Sequence, residues 1–237
     1  MIMQIQYNSK TIEFQVEYRK RKTFEIRIFP PDKIRVRAPK RATEDQILQI
    51  VESKGKWITQ KLFELKDIEY RKVNKEYING ESFMYLGKNY SLQLVENIEI
   101  KKPIVKLFQG KFYIETNTKD QDQLRQALES WYRKKSLDNV IEKIEYYKLY
   151  FNKKPRSIRV KEQKKRWGSC NSRGDLMFNW RISMAPSNVL DYIVVHEMCH
   201  MVYFNHSKEF WSLVERIMPD YREQKEWLKA NGISMDL

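Results

Sequence analysis

All three histidines of this 237-residue chain fall within eleven positions: His196-Glu197-Met198-Cys199-His200-Met201-Val202-Tyr203-Phe204-Asn205-His206. Residues four apart share a helix face, so His196 and His200 turn their rings toward one point. Two imidazoles held in that way supply half of a tetrahedral zinc site. Glu197 flanks the same point and is placed to act as general base on a metal-bound water. His206 follows His200 by six residues, the spacing of a third ligand in the extended form of the pattern. The chain must therefore build a helix here and a return loop that closes on it.

The residues ahead of the motif agree. Val189, Leu190, Ile193, Val194 and Val195 make a helix that is apolar almost all round, hence buried, with Ser187 as its expected N-cap. A buried helix carrying His and Glu needs compensation for their polarity, which a metal provides. Three protein ligands leave one vertex for water, the catalytic arrangement; Cys199, at i+3 from His196, is the alternative fourth ligand that would close the site.

Composition sets the bounds. A chain with 41% hydrophobic residues and 13% aromatics can bury a core. No apolar run reaches the ~18 residues of a membrane span, and the N-terminus lacks the features of a signal peptide. Cys170 and Cys199 do not make a disulfide framework. The expectation is a cytoplasmic protein without a membrane partner. The formal net charge is +14, spread over both halves of the chain. One segment concentrates it: Lys153, Lys154, Arg156, Arg159, Lys161, Lys164, Lys165 and Arg166, opposed only by Glu162. It reads either as a solvated strand face or as a surface for a nucleotide or nucleic acid.

Residues 4–38 alternate apolar and charged side chains and predict an antiparallel meander, with turns at Arg19–Lys22 and Pro30-Pro31-Asp32. Thr43-Glu44-Asp45-Gln46 is a capping box for a helix with Ile47, Leu48, Ile50, Val51, Trp57, Ile58, Leu62 and Leu65 on its apolar side and Gly55 at its middle. Strands resume over 70–116 as two hairpins, turning near Gly87 and Gly110. Thr118-Lys119-Asp120-Gln121 is a second capping box, opening a helix that buries Leu124, Leu128, Trp131, Val140, Ile141, Ile144 and Tyr147. Ser157–Arg166 and Leu176–Ile182 read as two strands, and Ser207 caps a helix beyond the motif. The expected class is α+β. Residues 1–118 form an antiparallel β-rich region with a helix, as scaffold or substrate-recruiting arm, and residues 119–237 form the domain with the histidines. No internal repeat is visible.

With these residues in hand, Arg166-Trp167-Gly168-Ser169-Cys170, Gly174, Asn179-Trp180-Arg181, Val194 to His200, Asn205-His206-Ser207, Phe210-Trp211 and Met218 to Arg222 resemble the YgjP-like metal-dependent hydrolases, relatives of the SprT-like zinc metallopeptidases. The resemblance implies a zincin-like C-terminal domain, with Zn2+ on His196, His200 and His206, Glu197 as catalytic base, and a β-hairpin along the active-site helix. It implies a protein or peptide substrate bound along a strand edge, either Arg166–Cys170 or Leu176–Asn179. Arg166, Trp167 and Asn179 are the candidate substrate-binding residues. Some members are described as nucleotide pyrophosphatases acting on UTP, so the alternative substrate is a nucleotide; a protease acting near nucleic acid is a third reading. The chain departs from metzincins in carrying Tyr203 where they have glycine, which leaves the turn out of the helix to Asn205, a residue that tolerates left-handed geometry. In gluzincins the third ligand is a later glutamate, here Glu209 or Glu215.

Overall fold

Alternating apolar residues do build strands at the N-terminus, though not in meander order. The computed structural model describes residues 1–8, 10–29, 32–70, 75–163 and 166–237. It divides into two compact units, Met1–Lys72 and Val73–Leu237. In the first, β1 (Ile2–Tyr7) and β2 (Lys10–Arg19) form one antiparallel hairpin, and β3 (Glu25–Phe29) and β4 (Lys33–Pro39) form another. The hairpins join through β2 and β4, which run parallel, so the sheet order is β1-β2-β4-β3. The reason lies in burial. Ile12, Phe14 and Val16 of β2 and Ile34, Val36 and Ala38 of β4 are the buried sets, and the two richest strands take the centre. Pro30 and Pro31 of the expected turn lie outside the described residues.

Helix α1 (Glu44–Ser53) starts at the expected capping box: Thr43 Oγ1 accepts from Gln46 N, and Gln46 Oε1 accepts from Thr43 N. The single helix expected here is two. It breaks at Lys54, and α2 (Gly55–Tyr70) begins on the glycine. The Tyr7 ring occupies the space beside Gly55, where a Cβ would lie 2.2 Å from it. Ile47, Val51 and Ile58 cover the sheet; the side chain of Leu65 lies outside the described residues.

The second unit begins with the same connectivity. Strands β5 (Ser82–Tyr85), β6 (Lys88–Glu96), β7 (Ile104–Phe108) and β8 (Lys111–Thr116) form the two expected hairpins, ordered β5-β6-β8-β7, with β6 and β8 parallel. A helix follows, as in the first unit. The topology thus repeats where the sequence shows no repeat, because connectivity needs only a matching apolar pattern and not matching residues. Helix α3 (Gln121–Tyr147) is capped two residues later than expected, by Asp120, which accepts from the amides of Asp122 and Gln123. Its buried face runs through Leu124, Leu128, Tyr132, Ser136, Val140 and Ile144, whereas Ile141 is exposed.

Next come β9 (Ser157–Lys161), β10 (Gly168–Cys170) and β11 (Asp175–Asn179), in the order β10-β11-β9. Two strands were expected. The first ends at Lys161, Gly168–Cys170 forms a separate outer strand, and the last stops at Asn179, whose Oδ1 accepts from Arg181 N and opens a 3-10 turn over Trp180–Met184. Helices α4 (Ser187–Cys199), α5 (Lys208–Ile217) and α6 (Tyr221–Asn231) complete the unit. Phe83, Leu92, Phe112 and Ile114 share one buried cluster with Leu128, Trp180, Val194 and Phe210. The boundary expected near residue 118 therefore falls inside the second unit.

Candidate metal centre

Helix α4 is held from all sides. Val189, Leu190, Val194, Val195, Met198 and Cys199 are buried around it. Pro186, not Ser187, occupies the N-cap position, and among the described residues no side chain caps the helix. Its start is fixed from elsewhere: the β5–β6 turn donates from Leu86 N to Ser183 O (2.8 Å) and from Gly87 N to Met184 O (3.0 Å). A Cβ on Gly87, whose φ is +76°, would lie 2.8 Å from Pro186.

At the other end the helix stops at Cys199. Met201 N donates to Met198 O, and Val202 N and Tyr203 N both donate to Cys199 O, turning the chain back. Asn205 is not among the residues with positive φ, so the turn is made without the left-handed residue expected there. Ser207 then caps α5, accepting from Phe210 N. The result is that His206 returns to its partners. Candidate ligand atoms of His196, His200 and His206 all lie within 4.8 Å of one another, and the Nε2 atoms of His196 and His206 are 3.1 Å apart. Two nitrogens bound to one zinc at the tetrahedral angle stand roughly 3.3 Å apart. His200 Nδ1 donates to Tyr203 O (3.0 Å), which fixes that ring and leaves its Nε2 for a metal.

The environment suits neutral imidazoles, the form that ligates. Burial, then the neighbouring His200 and His206, pushes His196 down to about 3; burial, then His200 and Lys225, also lowers His206. Aromatic rings orient the histidines: Phe210 stacks on His200 (centroids 4.5 Å apart), Trp211 on His206 (5.5 Å), and Tyr192 meets His196 edge-on (5.7 Å). Of these, Tyr192 carried no functional signal in the sequence. Glu209 and Glu215 are not in the convergent group, and Glu215 pairs with Arg222. Cys199 lies fully buried in the hydrophobic core and is also outside the group.

Glu197 is 5% exposed, and its Oε2 has no hydrogen-bond partner among the described residues. Burial raises its carboxyl to about 8, with Arg166 opposing. Gly168 of β10 passes so close that a Cβ there would lie 2.5 Å from Glu197 Cγ. Glycine at this point lets the outer strand lie along α4. A cleft of about 440 Å³ opens over the group, with Arg166 to Cys170 as one wall and His196, Glu197 and His200 among its other lining residues.

Arg166 and Trp167 thus line the cleft, as does the expected strand edge. Trp167 also packs on the chain end, where a Cβ on Gly232 would meet its ring at 2.6 Å. Asn179 does not line it. Its Nδ2 donates to the carbonyls of Gln163 (2.8 Å) and Arg166 (3.3 Å), anchoring the loop that carries Arg166. Of the two strand edges considered, Leu176–Asn179 belongs to the central strand β11, and only the β10 edge is free of a described partner. Lys164 and Lys165 of the basic run lie outside the described residues.

Among the described residues no helix is long and apolar enough to cross a membrane. The family model of the YgjP-like metallopeptidase domain matches residues 22–231. No curated protein matches the chain.

Proposed function

Given that the chain belongs to the YgjP-like metallopeptidase family and is therefore a metal-dependent hydrolase, we propose that it is a zinc peptidase whose catalytic base is Glu197. The observation that carries this reading is the meeting of three imidazoles beside a buried carboxylate with an uncommitted oxygen, in a cleft walled by a free strand edge.

The donors fit the ion: all three are nitrogens, neutral where their titration is perturbed, and spaced for a tetrahedral centre. His196, His200 and His206 would hold it. When bound, zinc supplies Lewis acidity that makes water nucleophilic at neutral pH and stabilises negative charge on a carbonyl oxygen. Glu197 takes the water's proton at Oε2 and returns it to the leaving nitrogen. A cation at the histidines favours the ionised carboxylate, offsetting the burial that raises its pKa. The peptide lies extended along β10, whose outward backbone groups receive it as an added strand, and Trp167 closes the cleft wall.

The test is hydrolysis of casein or an unfolded protein by the metal-loaded enzyme, against Glu197→Gln, with elemental analysis of the purified protein. Stoichiometric zinc and hydrolysis lost in the variant support the reading. Equal inertness of both proteins on a broad panel removes it. A second reading, hydrolysis of a nucleotide such as UTP, draws on Arg166, whose guanidinium is near enough to act on Glu197. Pyrophosphate release from UTP with zinc, magnesium or manganese tests that alternative.

A further inference from the structure

Strand β10 stands between two concavities. One is the cleft over the histidines. The other, of about 270 Å³, shares Arg166, Ser169 and Cys170 with the cleft and adds Arg159, Ser157 and Asp175. Cross-strand register shows which way this second depression faces. Ser169, Met177 and Arg159 are neighbours across β10, β11 and β9, so they share one face of the sheet. The adjacent rows contain Leu176 and Phe178, which are buried in the core, so they define the opposite face. The second depression is therefore on the outer face, reached by stepping across the strand edge.

Its charges are unevenly committed. The Asp175 carboxylate already accepts from Ser157 Oγ (2.8 Å) and Asn171 Nδ2 (2.9 Å). Among the described residues, no carboxylate forms an ion pair with Arg159 or Arg166. Two arginines thus line the depression without an ion-pair partner among the described residues, and guanidinium offers several donors to an incoming acceptor.

Building on the peptidase reading above, we propose that this depression is a specificity subsite for an acidic side chain of the substrate. A peptide added to the β10 edge presents alternate side chains to opposite faces of the sheet. While one set points to the cleft side, the side chain opposite Ser169 falls on the outer face with Arg159 and Arg166. A carboxylate matches the planar, two-pronged geometry of guanidinium. Asp175 sits on the same face with its oxygens engaged by Ser157 Oγ and Asn171 Nδ2, and two arginines against that one carboxylate leave the depression net cationic. The preference is salt-sensitive, since both arginines are exposed.

The experiment uses a set of otherwise identical peptides carrying Glu, Gln or Lys, scanned through the positions flanking the cleaved bond. With the metal-loaded enzyme, one position is expected to favour Glu over Lys by about tenfold in kcat/KM, as two exposed ionic contacts supply. Arg159→Glu should invert that preference, and Arg166→Gln should shrink it. Ratios are taken within each variant, so a general loss of activity cancels. As a second readout, Glu197→Gln is titrated with the same peptides bearing a fluorophore, and polarisation should rank them alike, less steeply at high salt. Equal rates at every position, or a Glu preference untouched by both arginine substitutions, overturns the subsite and leaves the peptidase standing. Absence of both hydrolysis by the enzyme and binding to Glu197→Gln overturns the peptidase reading and the subsite with it.

Discussion

Replacing Gly168 with alanine tests how Glu197 is positioned, without touching a ligand. The added methyl would stand 2.5 Å from Glu197 Cγ, 2.7 Å from Oε1 and 2.8 Å from Cδ. None of these contacts is tolerable, so either the strand edge or the carboxylate must give way by about 1 Å, to restore ordinary carbon contacts of roughly 3.5–4.0 Å. Overpacking of this kind costs about 1–3 kcal/mol of stability. A shift of about 1 Å in a reacting group costs about 10²-fold in rate. Gly168→Ala should therefore lose about two orders of magnitude in kcat/KM and keep its zinc stoichiometry, because the three atoms nearest the new methyl all belong to Glu197 and none to a histidine. Gly110→Ala is the control: φ is +76° there, with nothing within 4 Å of the new methyl, so it carries a backbone cost of about 1 kcal/mol and should leave rate alone. Combining Gly168→Ala with Glu197→Gln should cost little more than Glu197→Gln alone, since both remove the same proton transfer. A Gly168→Ala enzyme within twofold of wild type, folded and metal-loaded, would refute the assignment of Glu197 as the base held by that strand.

Four further outcomes are expected. His206→Ala should weaken zinc retention by at least about 100-fold in a chelator competition, while Glu209→Ala and Glu215→Ala leave it unchanged; the reverse pattern would move the third ligand to α5. Stripping the metal should lower the thermal midpoint, and adding zinc back at about 100 times Kd should restore about 2.7 kcal/mol, read by calorimetry. Arg181 donates to Glu162 (2.8 Å) and Asp236 (2.8 Å), and its guanidinium lies 4.2 Å from the Trp180 ring centroid, so Arg181→Ala should destabilise by about 1–3 kcal/mol in urea titration. Burial, helped by Glu197 and Asp175, lifts the Cys170 thiol to about 11, above the ordinary thiol range. A raised thiol pKa means that the unfolded chain ionises first, so the contribution of this thiol to stability is constant below about pH 9 and falls between about 9 and 11; alkylation at pH 8 should accordingly be much faster in urea than in the folded protein.

The convergence of the three histidines was legible because its signal is local. His196, Glu197 and His200 share one helix, and the only long step, to His206, is six residues. Cap chemistry was legible for the same reason: Thr43 and Ser207 sit where their side chains must. What escaped reading depended on residues distant in sequence. The parallel pairing of β2 with β4 follows from which strands bury best, a comparison no window of residues contains. The separate strand at Gly168–Cys170 is too short for a period of two to register. Asn179 looked like a cleft residue because it neighbours the motif, yet its amide is spent on the backbone of residues 13 and 16 positions earlier. Tyr192 gave no warning because an aromatic on a buried helix reads as core until the rings around it are known to be imidazoles.

The sheet of β5 to β8 bears on the same point. Read along the chain, it ends before the long helix and looks like part of a separate N-terminal arm. Its function in the fold is set by two hydrogen bonds at its first turn, where Leu86 and Gly87 donate to Ser183 and Met184 just ahead of α4. Helix α4 has no side-chain cap of its own. A buried helix that must hold His196, Glu197 and His200 in register, and that has no side-chain cap among the described residues, needs its first turn fixed from outside. Tyr132 adds a second tie, donating from its hydroxyl to Met84 O at 2.7 Å, and Ser136 a third, donating to Trp180 O at 2.6 Å. Hairpin, long helix and 3-10 turn therefore form one frame around the start of α4. A piece beginning at residue 119 would lack the hairpin whose amides fix Ser183 and Met184 ahead of α4.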